Sequence, residues 1–197
     1  MARRTRAAME ETRVSLLATA RRAFAETGYA EAAMDDLTAQ AGLTRGALYH
    51  HFGDKKGLLA AVVAQIDGEM DERLKAISDN AATPWDGLRG RCLAYLRMAL
   101  EPEIQRIVLR DARAVLGGAS AAEAQHCIAS LQGLIEQMRI QEAQALARLI
   151  YGSLADAAFW IAEGEDGDSR LAQASAALEL LLRGLKLETS GTGVDGT

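Results

Sequence analysis

Two short helix-compatible segments, Met34–Ala41 and Arg45–Phe52, separated only by the corner Ala41-Gly42-Leu43, set the tightest limit on how this chain folds. Asp35 and Asp36 fall in the first turn of the first segment, where the helix dipole favours negative charge. Gly42 stops that segment and supplies the backbone freedom of a sharp turn. Thr44 is an N-cap for the second segment. A tight glycine turn between two short helices at a steep angle is the geometry of a helix-turn-helix. Leu37, Leu48 and Phe52 are expected to face inward and hold this corner together.

The surroundings are helical as well. From Glu11 to Glu26, Val14, Leu17, Ala18, Ala20 and Phe24 recur at helical spacing, and Gly28 closes that helix as a C-cap. Asp54 caps a long helix from Lys55 to about Ser78. Asp79–Thr83 reads as a loop, with Pro84 opening a helix that continues to Leu100. Glu103–Leu116 follows and ends at Gly117-Gly118. Ser120 and Glu123 make a capping box for helical pattern running to Glu163, interrupted near Met138–Gln141 although no breaker residue stands there. Asp168 or Ser169 caps a last helix to Lys186. Only two prolines interrupt 197 residues and β-branched residues are rarely clustered, so the fold class expected is all-α with about nine helices. The division expected is an N-terminal arm and head at 1–57, a larger body at 58–187 and a disordered tail at 188–197.

Charge divides along the same line. Residues 1–57 carry nine Lys/Arg against seven Asp/Glu, whereas the whole chain has a net charge of −5. A basic head on an acidic body suits a protein that offers one end to a polyanion. No apolar run approaches the roughly 20 residues of a bilayer span, and no hydrophobic signal core follows the basic N-terminus, so a cytoplasmic protein without membrane contact is expected. Cys92 and Cys127 form no C-x-x-C pair. His50, His51 and His126 compose no catalytic or metal constellation, since adjacent helical side chains diverge by about 100°. No catalytic residue, metal or cofactor is expected.

The run Ala41-Gly-Leu-Thr-Arg-Gly-Ala-Leu-Tyr-His-His-Phe-Gly-Asp-Lys-Lys-Gly-Leu-Leu59 closely resembles the TetR family of repressors, as do Ala23-Phe-Ala-Glu-Thr-Gly-Tyr29 and Met34-Asp-Asp-Leu37. The resemblance implies a three-helix head that binds double-stranded DNA at a pseudo-palindromic operator, and a helical body that dimerises and takes a small-molecule effector. It implies that Arg45 and Gly46 meet base edges at the start of the recognition helix. Thr44, Tyr49, His50 and His51 are implied to touch phosphate, sugar or thymine methyl, and Lys55 to clamp a phosphate, with Lys56 the weaker candidate. Two positions depart from the family pattern: Ala33 replaces the Thr or Ser that caps the second helix, and Gly57 replaces an acidic residue.

The last two long helices carry apolar stripes suited to a partner: Leu149, Gly152 and Ser153 on one, Leu171, Leu178, Leu181, Leu182 and Leu185 on the other. In a TetR-like protein these helices from two subunits form a four-helix bundle. The middle helices would line the effector pocket with Trp85, Tyr95, Met98, Cys127, Leu131, Phe159 and Trp160. The function expected is a dimeric repressor that a small molecule releases from its operator.

Overall fold

A computed structural model describes the backbone of residues 2–188 and the side chains of residues 7–185. Among the described residues there is no strand, and nine α-helices carry the fold. They are α1 (Ala2–Glu26), α2 (Met34–Gln40), α3 (Arg45–Phe52), α4 (Lys55–Asp79), α5 (Pro84–Met98), α6 (Arg113–Leu116), α7 (Ala121–Gln137), α8 (Ala143–Glu163) and α9 (Gly167–Glu188). A π-helix, Ile104–Ala112, runs directly into α6. Of the tail read as disordered, Glu188 closes α9 and the rest lies outside the described residues. The side chains of Arg3, Arg4 and Arg6 lie outside them too.

The caps explain most of these boundaries. Thr44 Oγ1 accepts the Ala47 N–H at 3.3 Å, and Asp54 Oδ1 accepts the Gly57 N–H at 2.6 Å. Ser120 and Glu123 form the capping box, with bonds of 3.2 and 2.7 Å in the two directions. Ala33 makes no side-chain cap, as its chemistry requires. Thr83, at the end of the loop before Pro84, caps α5 by accepting the Asp86 N–H at 3.1 Å, and Pro84 occupies the first turn. α1 starts at Ala2 rather than Glu11, because residues 2–10 contain good helix formers and no breaker. The break before α8 is made by Arg139 and Glu142, both in the left-handed region at φ 59° and 58°. Neither is glycine, so nothing in the residue types marked it.

The chain divides into two compact units that do not follow a boundary at residue 57: residues 2–68 with 102–118, and residues 69–101 with 119–188. In the first, α1, α2 and α3 close around Leu16, Leu17, Ala20, Phe24, Leu37, Leu48, Leu58 and Leu59, all buried. Val14 is 55% exposed and Ala18 faces outward, so the buried stripe of α1 is rotated from the expected one. Phe52 is half-buried, with the Arg13 guanidinium 5.9 Å above its ring.

The π-helix packs on α1 in the same unit. Three polar ties hold it. Glu103 receives Arg21 through two bonds of 2.7 Å, Arg106 donates to the Thr27 carbonyl at 2.5 Å, and Asp111 accepts the Tyr29 N–H at 2.7 Å. An ordinary α-helix was expected over Glu103–Leu116. The wider i→i+5 turn places groups from both ends of the segment against α1 and the loop behind it, while burying Ile104, Ile107 and Leu109.

The second unit packs α5, α7, α8 and α9 around Leu88, Cys92, Leu96, Ile128, Leu131, Ile135, Leu154, Ile161, Leu178 and Leu182. Arg91 is 5% exposed and reaches Asp71 at 2.8 Å, and His126 Nε2 lies 3.0 Å from the other oxygen of that carboxylate. Burial alone would push the Asp71 carboxyl up, but the hydrogen bonds and charges of His126 and Arg91 outweigh it and hold it below its ordinary value. α8 is long and apolar enough to cross a membrane by length and composition, although polar residues interrupt its apolar run. Its apolar residues are split between the core and an outward row.

Candidate nucleic-acid interface

The corner between α2 and α3 is built by Gly42, at φ 66°, whose N–H bonds the Ala39 carbonyl at 3.0 Å. The Leu43 N–H bonds the Thr38 carbonyl at 2.9 Å, and the chain turns at once into the Thr44 cap. Within α3, Leu48 alone is fully buried, at 0% exposure, and it anchors the helix against the head. That anchor leaves Thr44, Arg45, Gly46, Tyr49 and His50 exposed, with Tyr49 at 53%. His51 is half-buried; its ring stands edge-on to His50 at 5.4 Å between centroids. Divergence along the helix therefore does not separate the two rings. Among the described residues no group of three or more His, Cys, Asp or Glu is placed to hold a metal ion.

Gly46 faces open space. A methyl group there would meet only Thr44 Oγ1, at 3.7 Å, so the missing side chain leaves the start of α3 free for a close approach from outside. Gly57 is different. A methyl group at that position would lie 2.0 Å from the Phe52 carbonyl oxygen, so the tight turn from α3 into α4 excludes the acidic residue of the family pattern.

Arg45 is not a solitary side chain. Its Nε and Nη2 donate to the two oxygens of Asp35, a side-by-side pair linking the first turns of α2 and α3. Both side chains stay open to solvent, at 63% and 58%. Hydrogen bonding to Arg45 holds the Asp35 carboxyl below the usual carboxylate range, and the same bonds raise the guanidinium. The sequence contained the signal, opposite charges at the starts of helices folded back by one glycine turn, but only the turn angle brings them together.

Lys55 is turned inward compared with its expected role. Its ammonium donates to the Ala30 carbonyl at 3.2 Å and stands 4.5 Å over the Tyr29 ring, bracing the loop between α1 and α2. Lys56, the weaker phosphate candidate, is the exposed lysine at the start of α4.

In the second unit the residues read as a pocket lining separate. Met98 and Leu131 are core side chains, 2% and 3% exposed, whereas Trp85, Tyr95, Cys127 and Phe159 are half-buried. Trp160 is 40% exposed and carries the Arg170 guanidinium 5.3 Å above its ring, so it belongs to the surface. The stripe read as a partner face also splits. Leu178 and Leu182 are 5% and 1% exposed and serve their own core, while Leu171 and Leu185 are half-buried. Facing outward are Leu149 at 68% and Leu181 at 65%, with Gly152 and Ser153 exposed between Leu149 and Trp160. Leu180, outside the heptad-spaced stripe, is 66% exposed as well.

Comparison with known proteins gives this geometry a context. Residues 85–185 match the family described as tetracyclin repressor-like, C-terminal domain, and residues 16–62 match the bacterial regulatory proteins of the tetR family. The crystal structure of a TetR-family transcriptional regulator from Pectobacterium atrosepticum is 72% identical, covers 91% of this chain and 96% of that one, and superposes with a TM-score of 0.86. The HTH-type transcriptional regulator TtgR of Pseudomonas putida is 32% identical over 109 residues, 54% of this chain and 52% of its own length. SrpR, an HTH-type transcriptional regulator of the same species, is 44% identical over 64 residues, 32% of this chain and 30% of its own. The chain spans about half the length of the first of these curated relatives and less of the second.

Proposed function

Because this chain belongs to the TetR family, a family of transcriptional regulators rather than enzymes, we propose that it is a dimeric, sequence-specific DNA-binding repressor that a small-molecule effector releases from its operator. The observation that carries the reading is the face of α3: one buried leucine holds the helix, and Arg45, Tyr49 and His50 stay exposed behind a threonine cap. Arg45 reads a guanine and Gly46 admits the DNA backbone. Thr44, Tyr49, His50 and Lys56 position the head on phosphate and sugar, with His51 and Lys55 at the edge of the contact. Two heads related by a two-fold axis read a pseudo-palindromic site.

The dimer forms through the outward row of α8 and α9, where Leu149, Trp160, Leu180 and Leu181 offer apolar area and Gly152 and Ser153 allow close approach. The effector is taken up among the half-buried side chains Trp85, Tyr95, Cys127 and Phe159. Effector and DNA then oppose each other, and the opposition is reciprocal by linkage. Selection from randomised duplex DNA, followed by anisotropy titration of the enriched site at several salt concentrations, tests the reading. A symmetric enriched motif bound by two protomers is expected; binding that follows salt alone, with no preferred sequence, overturns it.

A further inference from the structure

Resting on that reading, we infer that Asp35 is a positioning residue for base recognition, orienting Arg45 so that its free edge meets guanine. The guanidinium carries five N–H donors in a rigid plane. Asp35 takes one from Nε and one from Nη2. The donors left, on Nη1 and the outer side of Nη2, form a second fork at the tip of the side chain. That fork matches the O6 and N7 acceptors of guanine in the major groove. One arginine thus satisfies a carboxylate and a base at once, through different edges.

The pair also decides what Arg45 does not do. A 63%-exposed arginine without a partner is flexible, and the nearest strong acceptors on DNA are phosphates. The Asp35 carboxylate repels phosphate and occupies the side-on fork that phosphate would take. It also fixes the long side chain before binding, which reduces the ordering cost paid on the DNA. Ala33 adds to this. No side chain caps α2, so the front of that helix carries only Asp35 and Asp36 as acceptors, and Asp35 is the one turned to α3.

The competing roles are distinct. As a helix-dipole residue, Asp35 would be equivalent to Asp36. As a lock, it would withhold Arg45 from DNA. The experiment compares the full-length wild type with D35A, D35N, D36A, R45A and the double variant D35A/R45A. Each is put through selection on randomised duplexes and then titrated on the enriched site and on the same site with its guanine replaced. Wild type is expected to prefer guanine at one position of each half-site by roughly 5- to 150-fold, the range of one bidentate contact. D35A should lose most of that ratio while binding unrelated DNA as well as or better than wild type. D36A should keep the ratio, D35N should be intermediate, and D35A/R45A should match R45A alone.

Equal guanine preference in D35A and wild type overturns the inference, as does an equal loss in D36A. Tighter binding of D35A to the same site with preference intact identifies a lock instead. If wild type itself enriches no sequence, the DNA-reader reading fails as a whole, which is a different result from any of these. Thermal melting of D35A against D36A separates a folding defect from a reading defect, since both variants lose one first-turn carboxylate.

Discussion

Replacing Leu181 with alanine tests the proposed dimer face in isolation from the fold. The substitution removes three carbons, worth about 0.8 kcal/mol each when fully desolvated, or ~2.4 kcal/mol. In the protomer, 65% of Leu181 is still in water. Only about 1.6 kcal/mol of that transfer therefore awaits a partner. A two-fold interface contains the residue twice, so the dimer loses roughly 3 kcal/mol, a weakening of about 200-fold in dissociation constant. Sedimentation equilibrium over a wide concentration range reads that number directly. The paired control is Leu178→Ala one turn earlier, at 5% exposure. It should lower the stability of the protomer by about 2–5 kcal/mol through a cavity in its own core. An unchanged dimer constant in Leu181→Ala, or a loss of protomer stability as large as that of Leu178→Ala, would refute the assignment of the outward row.

Three further outcomes follow from local geometry. Alanine normally stabilises a helix over glycine by about 1 kcal/mol, yet Gly57→Ala should lower the melting temperature, because the added methyl would lie 2.0 Å from the Phe52 carbonyl oxygen and force a shift costing about 1–3 kcal/mol. Asp71→Asn should destabilise the protein at neutral pH, and the gap to wild type should close on acidification. The native carboxyl titrates below its unfolded value of about 3.9, so its stabilising share is complete above that value and is lost as pH falls through the lower native one. Denaturant titrations between pH 7 and pH 2.5 measure the difference. Burial pushes the Cys92 thiol up to about 12, so a thiol reagent at pH 8 should modify Cys127 first and reach Cys92 only at the rate of unfolding. Simultaneous modification of both in the native protein would contradict that environment.

Most of the head was legible in the sequence because its signals are local. Thr44 and Asp54 in the head, like Ser120 in the second unit, act on amides within three residues, so a cap can be read without knowing the fold. Gly42 and Gly117 mark turns that need positive φ. What was not legible depends on contacts between distant segments. Lys55 looked available until the loop at Tyr29 and Ala30 was folded against it. Arg45 and Asp35 are ten residues apart on different helices. Leu178, Leu181 and Leu182 belong to one apolar stripe in sequence, and only the position of α9 against α5 and α8 divides core from surface. The π-helix gave no sign in residue types, because its turn is wide for the sake of Arg21, Thr27 and Tyr29 on another segment.

That widened turn has a consequence for the length of the chain. Nine residues in i→i+5 register stand between Glu103 and Arg113. A chain one residue shorter there could return to i→i+4 bonding and remain a continuous helix. It could not keep both outer docking points, since Glu103 meets Arg21 ahead of the shift and Asp111 meets the Tyr29 amide near its end. The surplus residue is a spacer that sets the phase between them. Single-residue insertions and deletions in this stretch are thus changes of rotational setting rather than of helix content, a distinction that circular dichroism would miss and amide exchange at Tyr29 would register.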